Sequence, residues 1–372
     1  MPRTSASEVA AKSRRGFGRG RRGLLLLAAI GSLVGTTACD DGGDGGWKTP
    51  GKGQAAVLLD GKNSGALDLQ GGGELEGLTI TADGTVYVLR SGIQRIKSDR
   101  TVESLRPELT KGSSGLVALP DGSLVFGKDH AIQKYGRDQH VTVLAGVPGK
   151  GRAATAPVPK STAAAGFRFA DNSVSPIGVR PDGALILLDG DVVWSLAHDR
   201  LTRVYEIPAA DRKNREMDGY AKAAVDGKGT VYVTSGPKAG TDIYSHVTDV
   251  VAIHTDGTVA PIALPKSVRG VTGNLAEMKL VSITSDGADG IYADTYNDEG
   301  MYILHIHAGL VDLVMHHAVV GEKSSYSPYE CPLKHPVDAK KLPCALPSAM
   351  AYGDGKLVLG GNTHYLLQIG TK

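Results

Sequence analysis

The sequence predicts an all-β chain, a six-bladed β-propeller of four-stranded antiparallel blades, on three observations. Glycine supplies 50 of 372 residues, beside 18 Pro and 5% aromatics, which is too much glycine for a helical bundle or coiled coil. A short apolar run, an Asp-Gly pair and an alternating β-branched or aromatic run recur at 77–89, 115–127, 177–189, 223–235, 281–295 and 348–361. After most of these comes a second alternating pair, beginning at Ile93, Ala131, Val192, Val250 and Met301.

Each element follows from local chemistry. Asp-Gly between alternating runs is a hairpin signal, because the pair supplies the positive φ angles of a tight turn. The turn aspartates Asp83, Asp121, Asp182, Asp226, Asp286 and Asp354 are 38, 61, 44, 60 and 68 residues apart, a blade-sized unit with insertions. A hairpin plus a second pair makes four strands per unit. The sixth unit reaches only a third strand, 365–369, before Lys372, and the apolar run 55–59 is the expected donor of its outer strand. Residues 54–372 are therefore read as one propeller.

The formal charge of +2 conceals an asymmetry. Seven cations and one anion lie within residues 1–38, leaving 34 cations against 38 anions in the rest. A mildly acidic body lacks the basic footprint for nucleic acid, which is excluded as a partner. Residues 1–38 join basic residues to an apolar run, 24–34, and then small residues, the plan of an export signal. That run is shorter than the ~20 residues that span a bilayer. Arg14-Arg15 with Phe17 resembles the twin-arginine signal, and Thr36-Thr37-Ala38-Cys39 resembles a bacterial lipobox. The resemblance implies lipidation of Cys39 and residence on the outer surface of the cytoplasmic membrane. Two acyl chains, at ~0.8 kcal/mol per buried methylene, would anchor the chain stably. Residues 39–53 are rich in Asp, Gly and Lys, a flexible tether.

Setting Cys39 aside leaves Cys331 and Cys344, an even pair in an oxidising compartment, expected to form a disulfide. A zinc site is the lesser reading, since only His335 is nearby and Cys-x-x-Cys spacing is absent.

The repeats also resemble the NHL family of propellers. Thr142-Val143-Leu144-Ala145-Gly146 and Pro176-Ile177-Gly178-Val179-Arg180-Pro181-Asp182-Gly183 look like its outer strand and inner hairpin, and Ile291-Tyr292-Ala293-Asp294-Thr295-Tyr296-Asn297 is similar to its Tyr-Val-Ala-Asp-Thr-x-Asn segment. The resemblance implies a fold and no particular activity.

In an up-and-down blade the first-to-second and third-to-fourth turns share one face, and the other connections emerge on the opposite face. By this parity the Asp-Gly turns lie on one face, while the long segments 146–175, 208–218, 236–249, 265–279 and 320–347 lie on the other. Loops gathered on a rigid scaffold make the second face the expected binding surface. It would carry Asp171 and Asn172; Arg215, Asp218 and His246; Arg269 and Asn274; Tyr296, Asn297 and Asp298; and Tyr326, Tyr329 and His335.

Glu76, Asp218 and Glu277 sit near the starts of inner strands, where converging carboxylates could hold Ca²⁺ or another divalent cation. Glu76-Gly77 and Asp218-Gly219 resemble two motifs of the regucalcin and gluconolactonase type of six-bladed lactonase, but Ile177 stands where that family has Asn. No inner strand contains His, no Gly-x-Ser-x-Gly elbow or Walker loop occurs, and His305, His307, His316 and His317 read as solvated or edge-packing residues. The sequence thus specifies no catalytic residue and no cofactor. It predicts a monomeric, membrane-anchored binding or scaffold module for an extracytoplasmic protein, glycan or small ligand, with a metal-dependent lactonase or lyase as the alternative.

Overall fold

The structure, a computed structural model, describes residues 49–372 apart from 63, 70–74, 91, 106–111, 154–155, 171–173, 209–221, 235–249, 276–277, 319–329, 346–348 and 362. The expected signal segment with Arg14 and Arg15, and Cys39 with most of the expected tether, lie outside the described residues.

Six antiparallel sheets form the body. Blade 1 is Gly77–Ile80, Val86–Leu89, Ile93–Ile96 and Val102–Leu105. Blade 2 is Ser113–Ala118, Leu124–Lys128, Ala131–Tyr135 and Val141–Gly146. Blade 3 is Ser175–Val179, Leu185–Asp189, Val192–Ala197 and Arg200–Glu206. Blade 4 is Ala223–Val225, Val231–Thr234, Val250–Ile253 and Val259–Ile262. Blade 5 is Lys279–Ser285, Gly290–Asn297, Gly300–His307 and Leu310–Ala318. Blade 6 orders Ala349–Gly353, Lys356–Gly360, Tyr365–Gly370 and then Gln54–Asp60, with Ala55 opposite Ile369 and Val57 opposite Leu367. The six inner strands contact one another in cyclic order, with blade 6 against blade 1. The architecture is a six-bladed β-propeller with almost no helix.

Apolar side chains fill the gaps between blades. Trp194, Phe169 and Leu187 sit in one such cluster, and Tyr302, Leu304 and Leu280 in another. Inner strands approach so closely that a Cβ at Gly77 would stand 2.7 Å from Leu116 Cβ, and one at Gly178 would stand 2.8 Å from Val225 Cβ. A larger residue at either position would wedge two blades apart.

The turns differ from the expected uniform hairpin. Of the six Asp-Gly pairs, Asp354-Gly355 alone, with φ of 49° and 68°, is a two-residue turn carrying positive φ at both positions, between the paired Gly353 and Lys356. In blades 1 to 3 the glycine alone is left-handed, and the preceding Asp83, Asp121 or Asp182 accepts the N–H two residues on at 3.1, 2.9 or 3.0 Å. Asp226 and Asp286 sit two residues earlier in their turns, where their own N–H groups donate to Thr230 O and Gly290 O. Each Oδ1 there accepts two backbone N–H groups, and both residues are buried.

Two insertions also depart from expectation, because part of each runs along a blade edge instead of remaining a loop. Ser161–Ala163 adds a fifth strand outside Arg200–Glu206 of blade 3. Val337–Asp338 pairs outside Gln54–Asp60 of blade 6. Each covers an edge that would otherwise offer unpaired backbone groups. Cys331 and Cys344 form a disulfide spanning the second of these strands. The bridged loop is tied on both sides: Ala339 N donates to Gly53 O at 2.9 Å, and Leu342 N to His316 O at 3.1 Å.

Candidate ligand site at the axial channel

Inner strands begin on the face of the long connections and run toward the Asp-Gly face. Strand register therefore decides which residues share a level around the axis. Gly77 pairs with Leu89, Ser114 with Gly127, Ser175 with Leu188, Ser282 with Asp294 and Ala349 with Gly360. Lys222 occupies the same place in blade 4, its carbonyl accepting from Thr234 N at 2.9 Å. These six residues line one channel with a cavity volume of about 480 Å³. Three of them are serines and one is an exposed lysine. Ser114 Oγ donates to Val174 O at 3.2 Å, so this hydroxyl is held toward blade 3.

Glu76 precedes this ring and lines the same channel. Its N–H donates to Leu89 O at 2.9 Å, and its carbonyl accepts from Gly115 N at 2.8 Å, which joins blades 1 and 2 beside the axis. Burial pushes its carboxyl above the ordinary glutamate range. Of the three carboxylates expected to converge, Asp218 and Glu277 lie outside the described residues. The described lining does not make a cation cage: it offers one carboxylate, shares the channel with the Lys222 ammonium, and no group of three His, Cys, Asp or Glu capable of holding a metal occurs among the described residues.

Of the expected loop-face residues, Asp171, Asn172, Arg215, His246, Tyr326 and Tyr329 also lie outside the described residues. Arg269, Tyr296, Asp298 and His335 are exposed, and Asn274 is half-buried. Asn297 has a structural task. Its Oδ1 accepts from Glu299 N and Gly300 N, and its Nδ2 donates to Thr272 O at 2.7 Å, fastening the 263–278 connection to blade 5.

The four histidines of blade 5 are each packed or bonded. His305 Nε2 lies 2.8 Å from Asp286 Oδ2, and its ring stacks on both Tyr292 and His307. Burial raises the Tyr292 hydroxyl to about 12. His316 stacks on Tyr302, and the buried His317 bonds Leu342 O. The serine and lysine ring was missed in the sequence because it follows no motif. Its only signal is position, just ahead of or at the start of each apolar run.

No family model matches the chain, and no curated protein matches it. Solved structures do. A Bacteroides thetaiotaomicron protein of unknown function aligns at 12% identity and a TM-score of 0.51, covering 80% of this chain and 69% of that one. A Xanthomonas campestris gluconolactonase aligns at 15% identity and a TM-score of 0.50, covering 84% and 88%. A calcium-binding regucalcin from Agrobacterium tumefaciens aligns at 12% identity and a TM-score of 0.45, covering 87% and 95%. At these identities the likeness is one of fold: the chain is built like the six-bladed propellers that include gluconolactonases.

Proposed function

We propose that the protein is an exported, lipid-anchored binding module that takes a small polar ligand at the loop-side mouth of its axial channel. The observation that carries this reading is the ring of Ser114, Ser175, Lys222 and Ser282 around a cavity of about 480 Å³, on the face where the long connections emerge. Its volume lies within the few-hundred to thousand Å³ typical of small-ligand sites. The Lys222 ammonium provides donors to a ligand that brings acceptors, and the serine hydroxyl oxygens add lone pairs, Ser114 having given its own proton to Val174 O. Lipidation at Cys39, export through the Arg14-Arg15 signal and the tether over residues 39–53 would display this mouth outside the cytoplasmic membrane. The Cys331–Cys344 disulfide fits such an oxidising compartment.

Native mass spectrometry of the full-length protein, extracted from membranes in detergent, tests the reading. A small bound species in the wild type that is lost in Lys222→Glu supports it. Retention of the same species by Lys222→Glu, or a wild type that stays empty after exposure to cell-envelope fluid, contradicts it.

A second reading, a divalent-metal-dependent lactonase or lyase, is favoured by Glu76 at the channel and by the gluconolactonase-like fold. Stoichiometric divalent metal, lost in Glu76→Gln, would favour it over the binding module.

A further inference from the structure

A cavity larger than the channel, about 790 Å³, opens on the opposite, Asp-Gly face between blades 1 and 2. It runs from Ile80 and Ala118 on the inner strands to Glu103 and Arg137 at the rim. Each of the four strands of blade 1 has only four residues. One row of that blade, Leu89, Ile93 and Leu105, packs on blade 2 with Leu116, Leu124 and Phe126. The next row toward the Asp-Gly turns is Tyr87, Arg95 and Glu103, adjacent across the strands, and it lines the groove.

Blade 5 has the same row, Tyr292, His305 and Asp312, but there it is consumed internally. Tyr292 is buried against Tyr352, and His305 is bonded to Asp286. In blade 1 the equivalent tyrosine is only half-buried, and although Arg95 and Lys97 both pair with Glu103, at 2.5 and 3.3 Å, Arg95 keeps about a third of its side-chain surface, 36%.

The groove balances charge. Arg95 and Arg137 face Asp83 and Glu103, with Tyr87 and Gln139 between and apolar side chains on the floor. Two cations and two anions in the lining give no net preference for a ligand of one sign. Interleaved guanidinium donors, carboxylate acceptors, an amide and a phenol suit a ligand that presents donors and acceptors together on a C–H framework. We infer that this groove is a second binding site, for a neutral oligosaccharide. It is separate from the channel mouth and does not depend on the function proposed there.

Isothermal titration of the purified full-length protein with maltotriose, cellotriose, xylotriose and triacetylchitotriose tests it. The expected result is saturable binding of at least one of the four, weakened tenfold or more in Arg137→Ala and in Tyr87→Phe, and unchanged in Glu76→Gln. Arg137 is an exposed turn residue and Tyr87→Phe removes only a hydroxyl, so both variants keep the fold, which circular dichroism verifies. Binding of none of the four, or binding insensitive to both groove variants, overturns the proposal. Tighter binding of a galacturonic acid trimer or a glucosamine trimer than of every neutral sugar overturns the neutral assignment.

Discussion

Arg152 Nη2 lies 3.3 Å from Asp189 Oδ2, with the aspartate side chain wholly buried and the arginine side chain 12% exposed. Asp189 also accepts the N–H of Ala170 at 3.2 Å. One carboxylate at the end of a blade 3 strand therefore fastens both arms of the 147–174 excursion. Removing it takes the counter-charge from a largely buried guanidinium, whose Nη1 keeps only the carbonyls of Ala153 and Ala156. Asp189→Ala should cost about 3–5 kcal/mol in urea unfolding. The double variant Arg152→Met with Asp189→Leu should recover most of that loss, and a double variant as unstable as the single one would contradict the assignment.

The disulfide acts on the outer edge of blade 6. It closes the loop that carries Val337–Asp338 onto Gln54–Asp60, the strand that follows the tether. Cys331→Ala with Cys344→Ala should lower stability by about 3 kcal/mol in the chain-entropy model. It should also raise hydrogen exchange at 54–57 more than in the inner strands. Equal protection at 54–57 with and without the bridge would show that the loop does not clasp that strand.

Asp294 is 2% exposed, and its Oδ1 has no hydrogen-bond partner. Burial holds its carboxyl well above the ordinary aspartate range, so it stays protonated where an unfolded chain would ionise. The unfolded state then binds fewer protons, and stability falls as pH rises above the ordinary carboxylate range. Asp294→Asn should flatten this slope and raise Tm by a few degrees at pH 7. A variant with the wild-type pH profile would rule the group out.

The proposed anchoring and the proposed export are separable by substitution. Cys39→Ala should move the protein from the membrane fraction to the soluble extracytoplasmic fraction. Replacing Arg14 and Arg15 together by Lys should hold it in the cytoplasm. Export of that double variant at the wild-type level would favour the general secretory route.

The ring was legible because every inner hairpin repeats an apolar run, an Asp-Gly pair and an alternating run. The turn register was not, because the same dipeptide serves at two positions: Asp83 caps a turn from its third residue, whereas Asp226 opens one. The edge strands Ser161–Ala163 and Val337–Asp338 are too short to show a period of two. Part of the candidate channel was visible, since Glu76 was singled out, but Ser114, Ser175 and Ser282 share a level only once the bulges in their strands are known. The groove between blades 1 and 2 was invisible, because it arises from how side chains of two blades are set against each other.

The channel reading meets its sharpest test in the metal content of the full-length protein, purified without chelator and measured beside Glu76→Gln. A binding module lined by Lys222 and serines predicts no stoichiometric divalent ion in either protein. One divalent ion per chain in the wild type, absent from Glu76→Gln, would contradict it.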